Sequence, residues 1–131
     1  MLLTSQRTLE EAYPARPESV SLVRGDVARF AARKGATDAQ LDGIRLAVSE
    51  AATNVVRHAY RTAPGVLHIT ATAVDDELWV LVADAGCGHQ TPAASPGLGW
   101  GLALIAQASE KFVLAERSDG GTEARMRFQL G

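Results

Sequence analysis

The chain holds a single cysteine, Cys87, among 131 residues, so no internal disulfide framework is open to it. There is no zinc spacing either, and the lone thiol fits a reducing cytoplasm. Long apolar runs are lacking: no stretch reaches the roughly 20 residues that a helix needs to cross a bilayer. No excess of one charge exists, with 13 Lys and Arg against 15 Asp and Glu and no basic run, which argues against nucleic acid as a direct partner. Basic residues such as Arg24, Arg29, Arg33 and Arg57 are scattered along helical patterns as a solvated face. A Walker A loop is missing, and the glycines do not follow the Gly-x-Gly-x-x-Gly of dinucleotide folds. Internal repeats and low-complexity segments are absent. What remains is one cytoplasmic domain over residues 1–131.

The apolar pattern divides the chain into alternating types. Gln6 to Ala12 reads as a first strand ending at Pro14 and Pro17. Val20, Val23, Val27, Phe30 and Ala31 recur at helical spacing, from a start after Glu18-Ser19 to an end near Gly35, with a cap expected at each end. A second helix begins at Thr37-Asp38, carries the stripe Leu41, Ile44, Val48, Ala51, Val55 and Ala59, and ends by Pro64-Gly65. Val66 to Val74 and Leu78 to Ala83 form a hairpin around Asp75-Asp76-Glu77. His89 to Pro96 reads as a surface loop, in the place of a lid. A helix over Leu102 to Ser109 precedes two closing strands, Lys111 to Glu116 and Thr122 to Leu130. In the last, Ala124, Met126, Phe128 and Leu130 alternate with Glu123, Arg125, Arg127 and Gln129. These elements predict a two-layer α/β sandwich, with a mixed, mainly antiparallel sheet and helices on one face.

Three stretches carry chemistry. Glu50 and Asn54 stand four residues apart, a spacing that stacks a carboxylate beside an amide oxygen on one helix face. That pair suits Mg²⁺ and a reacting hydroxyl. A helical glutamate alone is most often a solvated charge, but Asn54 is a mediocre helix former in an Ala- and Val-rich helix, which points to a ligand. Asp84 ends an apolar strand and is followed by Gly86 and Gly88, whose missing Cβ atoms let a ligand approach the backbone. An aspartate there accepts from an exocyclic amine, although Asp near Gly is also ordinary turn chemistry. Gly97, Leu98, Gly99, Trp100, Gly101 and Leu102 read as a glycine-rich loop running into a helix, where free N–H groups and a helix dipole suit phosphate. Trp100 reads as cover for that loop, and Cys87 as a small residue among glycines. His58 reads equally as a phosphate contact and as a cap on the helix carbonyls.

In this order and spacing, Ser49-Glu50-Ala51-Ala52-Thr53-Asn54-Val55-Val56-Arg57-His58, Asp84-Ala85-Gly86-Cys87-Gly88 and Gly97-Leu98-Gly99-Trp100-Gly101-Leu102 resemble the N, G1 and G2 boxes of the GHKL, or Bergerat-fold, ATPases. From Pro17 to His58 the chain is similar to the anti-sigma-factor serine kinases of the RsbW and SpoIIAB type. The resemblance implies the same two-layer fold, with ATP between the Glu50 helix, the lid loop and the sheet. It implies Mg²⁺ on Asn54, Glu50 as the base for the attacking hydroxyl, Asp84 on the adenine amino group, and Thr122, after Gly120-Gly121, completing the adenine network.

The function expected on this resemblance is that of a protein serine/threonine kinase. It would transfer the γ-phosphoryl of ATP to a serine or threonine of a small anti-anti-sigma (STAS) protein, and would bind a sigma factor to hold it off RNA polymerase. A homodimer is expected only by analogy. The second reading is an ATP-dependent partner-binding switch without efficient transfer, motivated by the shortness of His89 to Pro96. The catalytic domain of a two-component histidine kinase is a third and poorer reading, because the chain has no dimerisation helices or phosphoacceptor region.

Overall fold

The computed structural model describes residues 7–59, 65–85, 98–118 and 120–131, with the backbone alone at 58–59 and 98–100. Helix α1, Pro17–Arg33, starts earlier than the apolar pattern suggests, because Pro17 has no N–H to leave unpaired and a backbone angle already suited to a first turn. The expected side-chain cap is not there: Arg16 at the N-cap makes no such bond. At the other end Gly35 takes φ +102°, and the N–H of Ala36 returns to the carbonyl of Ala31 at 3.0 Å, closing the helix.

Helix α2, Asp38–Asn54, begins as predicted. The Thr37 hydroxyl accepts from the Gln40 N–H at 3.2 Å and the Gln40 side chain accepts from the Thr37 N–H at 2.9 Å, a reciprocal capping box. After Asn54 the helix widens into a π-helical turn, Val55–Ala59. The expected end at Pro64 lies outside the described residues. Leu41, Ile44, Val48, Ala51 and Val55 are all buried, as the stripe requires, joined by Ala47 and Ala52.

Five strands form one sheet in the order β1-β2-β3-β5-β4: β1 Thr8–Pro14, β2 Val66–Val74, β3 Glu77–Asp84, β4 Lys111–Glu116 and β5 Thr122–Gln129. All four pairings are antiparallel, so the mixed sheet expected contains no parallel pair among the described residues. The hairpin between β2 and β3 turns on Asp75-Asp76, with Asp75 at φ +55°, a left-handed conformation that aspartate tolerates better than most residues. β1 lies two residues further along the chain than its pattern indicated, and ends where Pro14 opposes Val66 at the sheet rim and no ladder bond is lost.

Alternation along the strands sets which face is covered. Leu67, Ile69, Leu78, Val80, Met126 and Phe128 point toward the helices and meet Phe30, Ile44, Val48 and Ile105 in one core. Each such side chain removed from water contributes roughly 1.5–3 kcal/mol. The opposite face carries rows such as Thr72, Trp79 and Arg127, or Thr70, Leu81 and Arg125, which stay partly or fully exposed. Helix α3, Leu98–Ala108, packs on α2 and is pinned by the fully buried Ile105. It starts four residues before the expected Leu102, so Leu98 to Gly101 are a helical turn rather than a loop. Among the described residues no helix is long and apolar enough to cross a membrane.

Candidate functional site

The helical spacing of Glu50 and Asn54 turns both toward the first turn of α3. An ideal Cβ built on Gly101 would stand 3.2 Å from Glu50 Oε1, 3.2 Å from Asn54 Oδ1 and 3.4 Å from Asn54 Nδ2. A carboxylate and an amide oxygen therefore converge on the small space that a missing side chain leaves open. Glu50 and Asn54 are half-buried, and Gly101 is buried. Two oxygen donors of this hardness suit a small divalent cation such as Mg²⁺. Glycine at 101 is thus explained first by clearance for these two side chains.

Behind this face, α1 braces α2. The Arg24 guanidinium donates to Ser49 Oγ at 3.2 Å and to Ser21 Oγ at 3.2 Å. Ser49 directly precedes Glu50, so the brace fixes the helix next to the carboxylate. Pattern reading left Arg24 on the solvated face; only the packing of the two helices shows its contact.

A second cluster forms where β3 ends. Asp84 is buried at 4% exposure and lies opposite Thr122 across the β3–β5 ladder, whose backbone N–H donates to Asp84 Oδ1 at 3.3 Å. Gly121 lies so close that a Cβ there would fall 1.9 Å from the Asp84 carbonyl oxygen and 2.8 Å from Ala85 Cα. No other residue fits at 121 without moving the strand end. The Gly120-Gly121 doublet was the signal in the sequence, but read as turn chemistry it concealed this cross-sheet contact. Gly120 supplies the turn itself, with φ +95° and its N–H donating to the Arg117 carbonyl at 3.0 Å.

The structure thus groups Glu50 and Asn54 with Gly101, and Asp84 with Gly121 and Thr122. The π-helical turn that follows Asn54 packs against β3, the strand that Asp84 terminates. His58 is part of that turn, and Leu98, Gly99 and Trp100 are part of the first turn of α3; their side chains are not described. Leu102 is half-buried against the core. Gly86, Gly88, Gly97, Cys87 and the lid stretch His89 to Pro96 lie outside the described residues. On the wet face of the sheet an open depression of about 510 Å³, bordered by His68, Thr70, Leu81 and Glu123, is lined by none of the candidate residues.

Comparison with known proteins gives this geometry its setting. Residues 13–128 match the family described as the histidine kinase-like ATPase domain. The chain is 37% identical over 83 residues to an anti-sigma F factor of Clostridium acetobutylicum, a match covering 63% of this chain and 58% of that protein. It is 39% identical over 79 residues to the serine-protein kinase RsbW of Bacillus subtilis, covering 60% of this chain and 49% of that one. The matches thus span about half the length of these curated relatives. Among solved structures, the RsbU and RsbW domains of a Mycobacterium tuberculosis protein superpose with a TM-score of 0.73 at 25% identity, over 95% of this chain and 32% of that one.

Proposed function

We propose that this chain, which belongs to the histidine kinase-like ATPase domain family, is an ATP-dependent protein serine/threonine kinase of the anti-sigma type. Its substrate would be a small STAS-type anti-anti-sigma protein, and its sequestered partner a sigma factor in the cytoplasm. The observation that carries this reading is the convergence of Glu50 Oε1 and Asn54 Oδ1 above Gly101. Relatives named as an anti-sigma factor and as a serine-protein kinase support it.

In this reading Asp84, with Thr122 beside it, receives the adenine amino group, and the first turn of α3 faces the phosphates with its free N–H groups. Gly86, Gly88 and Gly97 belong to the same nucleotide site by motif, with His58, Leu98, Gly99, Trp100 and Leu102 at its border. Mg²⁺, held by Asn54, would neutralise charge on the phosphates. Glu50 accepts the proton of the substrate hydroxyl as its oxygen bonds to the γ-phosphorus, while the bond from that phosphorus to the ADP oxygen breaks and ADP leaves with the electron pair. Transfer of this kind needs little beyond positioning and charge stabilisation.

The test is transfer of radiolabel from γ-labelled ATP to a STAS-domain protein, run beside nucleotide binding on the same preparations. Glu50→Gln keeps the shape but not the basicity, so binding survives while transfer falls by roughly a hundredfold or more. Asn54→Ala lowers both nucleotide affinity and transfer, with a loss that depends on Mg²⁺ concentration. Wild-type protein that binds its partner only with ATP yet transfers nothing would establish a switch in place of a kinase, and wild-type transfer by Glu50→Gln would remove Glu50 as the base.

A further inference from the structure

Two glycines sit in the seam between α2 and α3. Gly101 is one; the other is Gly43 in α2, where a Cβ would stand 3.1 Å from the carbonyl oxygen of Ala108, the last residue of α3. Since Gly101 faces Glu50 and Asn54 while Ala108 faces Gly43, the helices run antiparallel along this seam. The two contacts are about 10 Å apart, from the seven residues that separate 43 from 50 and 101 from 108 at the helical rise. Glycine is a poor helix former in mid-helix, and the backbone at Gly43 does not need it, because only Gly35, Gly120 and Gly131 among the described glycines have positive φ. What glycine provides at 43 is the close seat of Ala108.

We propose that Gly43 is a positioning residue for the Glu50–Asn54 pair, setting the tilt of α3 and with it the clearance between Gly101 and the two side chains. The inference rests on the reading of that pair as base and metal ligand. Ile105 is fully buried and holds α3 between the two contacts. A methyl at position 43 displaces the Ala108 end by a few tenths of an ångström, and a helix held at Ile105 answers by moving its Gly101 end the other way, into the space shared by Glu50 Oε1 and Asn54 Oδ1. Small misplacements of catalytic groups carry large costs in rate.

The experiment compares wild type, Gly43→Ala, Gly43→Leu and Gly25→Ala in thermal unfolding, in Mg²⁺ titration of ATP binding and in phosphoryl transfer. Gly25 is the control: it lies inside α1, and its Cβ would first meet the movable guanidinium of Arg29, at 3.3 Å. Expected for Gly43→Ala is an unfolding midpoint no lower than wild type, a Mg²⁺ requirement raised about threefold and transfer reduced about tenfold. Gly43→Leu exceeds both losses, and Gly25→Ala shows neither. Folded Gly43 variants with wild-type Mg²⁺ dependence and transfer would overturn the inference, as would losses that merely track falling stability. Wild type that shows no Mg²⁺-dependent binding or transfer would overturn the reading of the pair and this inference with it.

Discussion

At the scale of single residues, the site depends as much on absent atoms as on present ones. Asp84→Asn replaces an acceptor with an amide that can turn a donor toward the adenine amino group, so ATP affinity falls severely while folding barely changes. Isothermal calorimetry on the folded variant checks this, and undiminished affinity removes Asp84 from the site. Gly101→Ala adds a methyl 3.2 Å from both Glu50 Oε1 and Asn54 Oδ1, and ATP binding then loses its Mg²⁺ dependence before it loses its adenine specificity. Binding curves with and without Mg²⁺ separate the two effects. Gly121→Ala is of another order, since its Cβ would overlap the Asp84 carbonyl at 1.9 Å. The strand end must shift, at a cost of roughly 2–4 kcal/mol, read from urea unfolding.

Among the elements, β1 and α1 are latched by a buried phenol. Tyr13 donates its O–H to Asp26 at 2.7 Å, and Arg29 pairs with the same carboxylate. Burial, and then the Asp26 carboxylate, hold the Tyr13 hydroxyl well above its ordinary range of ionisation. Its pKa is raised in the folded state, so the stabilisation is complete below about pH 10 and drains away as pH climbs from there. Tyr13→Phe lowers stability at neutral pH by about 1–2 kcal/mol and flattens the alkaline decline, which denaturant midpoints between pH 8 and 11 measure. Elements whose signals are local were legible in the sequence. α2 declared its start through Thr37-Asp38, and β5 its two faces through strict alternation. Glu50 and Asn54 were legible because helical periodicity alone places them together. The start of α3 was not, because Gly99 and Gly101 read as loop until packing on α2 makes a helical turn of them. Nor was the role of Gly121, which rests on a neighbour in another strand, or the brace of Arg24 on Ser49, which requires two helices to be packed first.

For the molecule as a whole, one core joins both layers, and ligand binding adds to a single unfolding transition. ATP with Mg²⁺ at a hundred times its dissociation constant raises stability by about 2.7 kcal/mol, an increment that Asp84→Asn abolishes in thermal denaturation. The order β1-β2-β3-β5-β4 has a consequence for biosynthesis. β5 joins β3 to β4 and supplies the fully buried Met126, yet of these five strands it is the last to be synthesised. Until residues 122–129 emerge, the apolar side of β3 has an open margin, α3 has only part of its floor, and Asp84 lacks the Thr122 N–H. A nascent chain arrested before Thr122 should therefore be open to protease and unable to retain nucleotide, and a chain extended through β5 should gain protease resistance and nucleotide retention in one step.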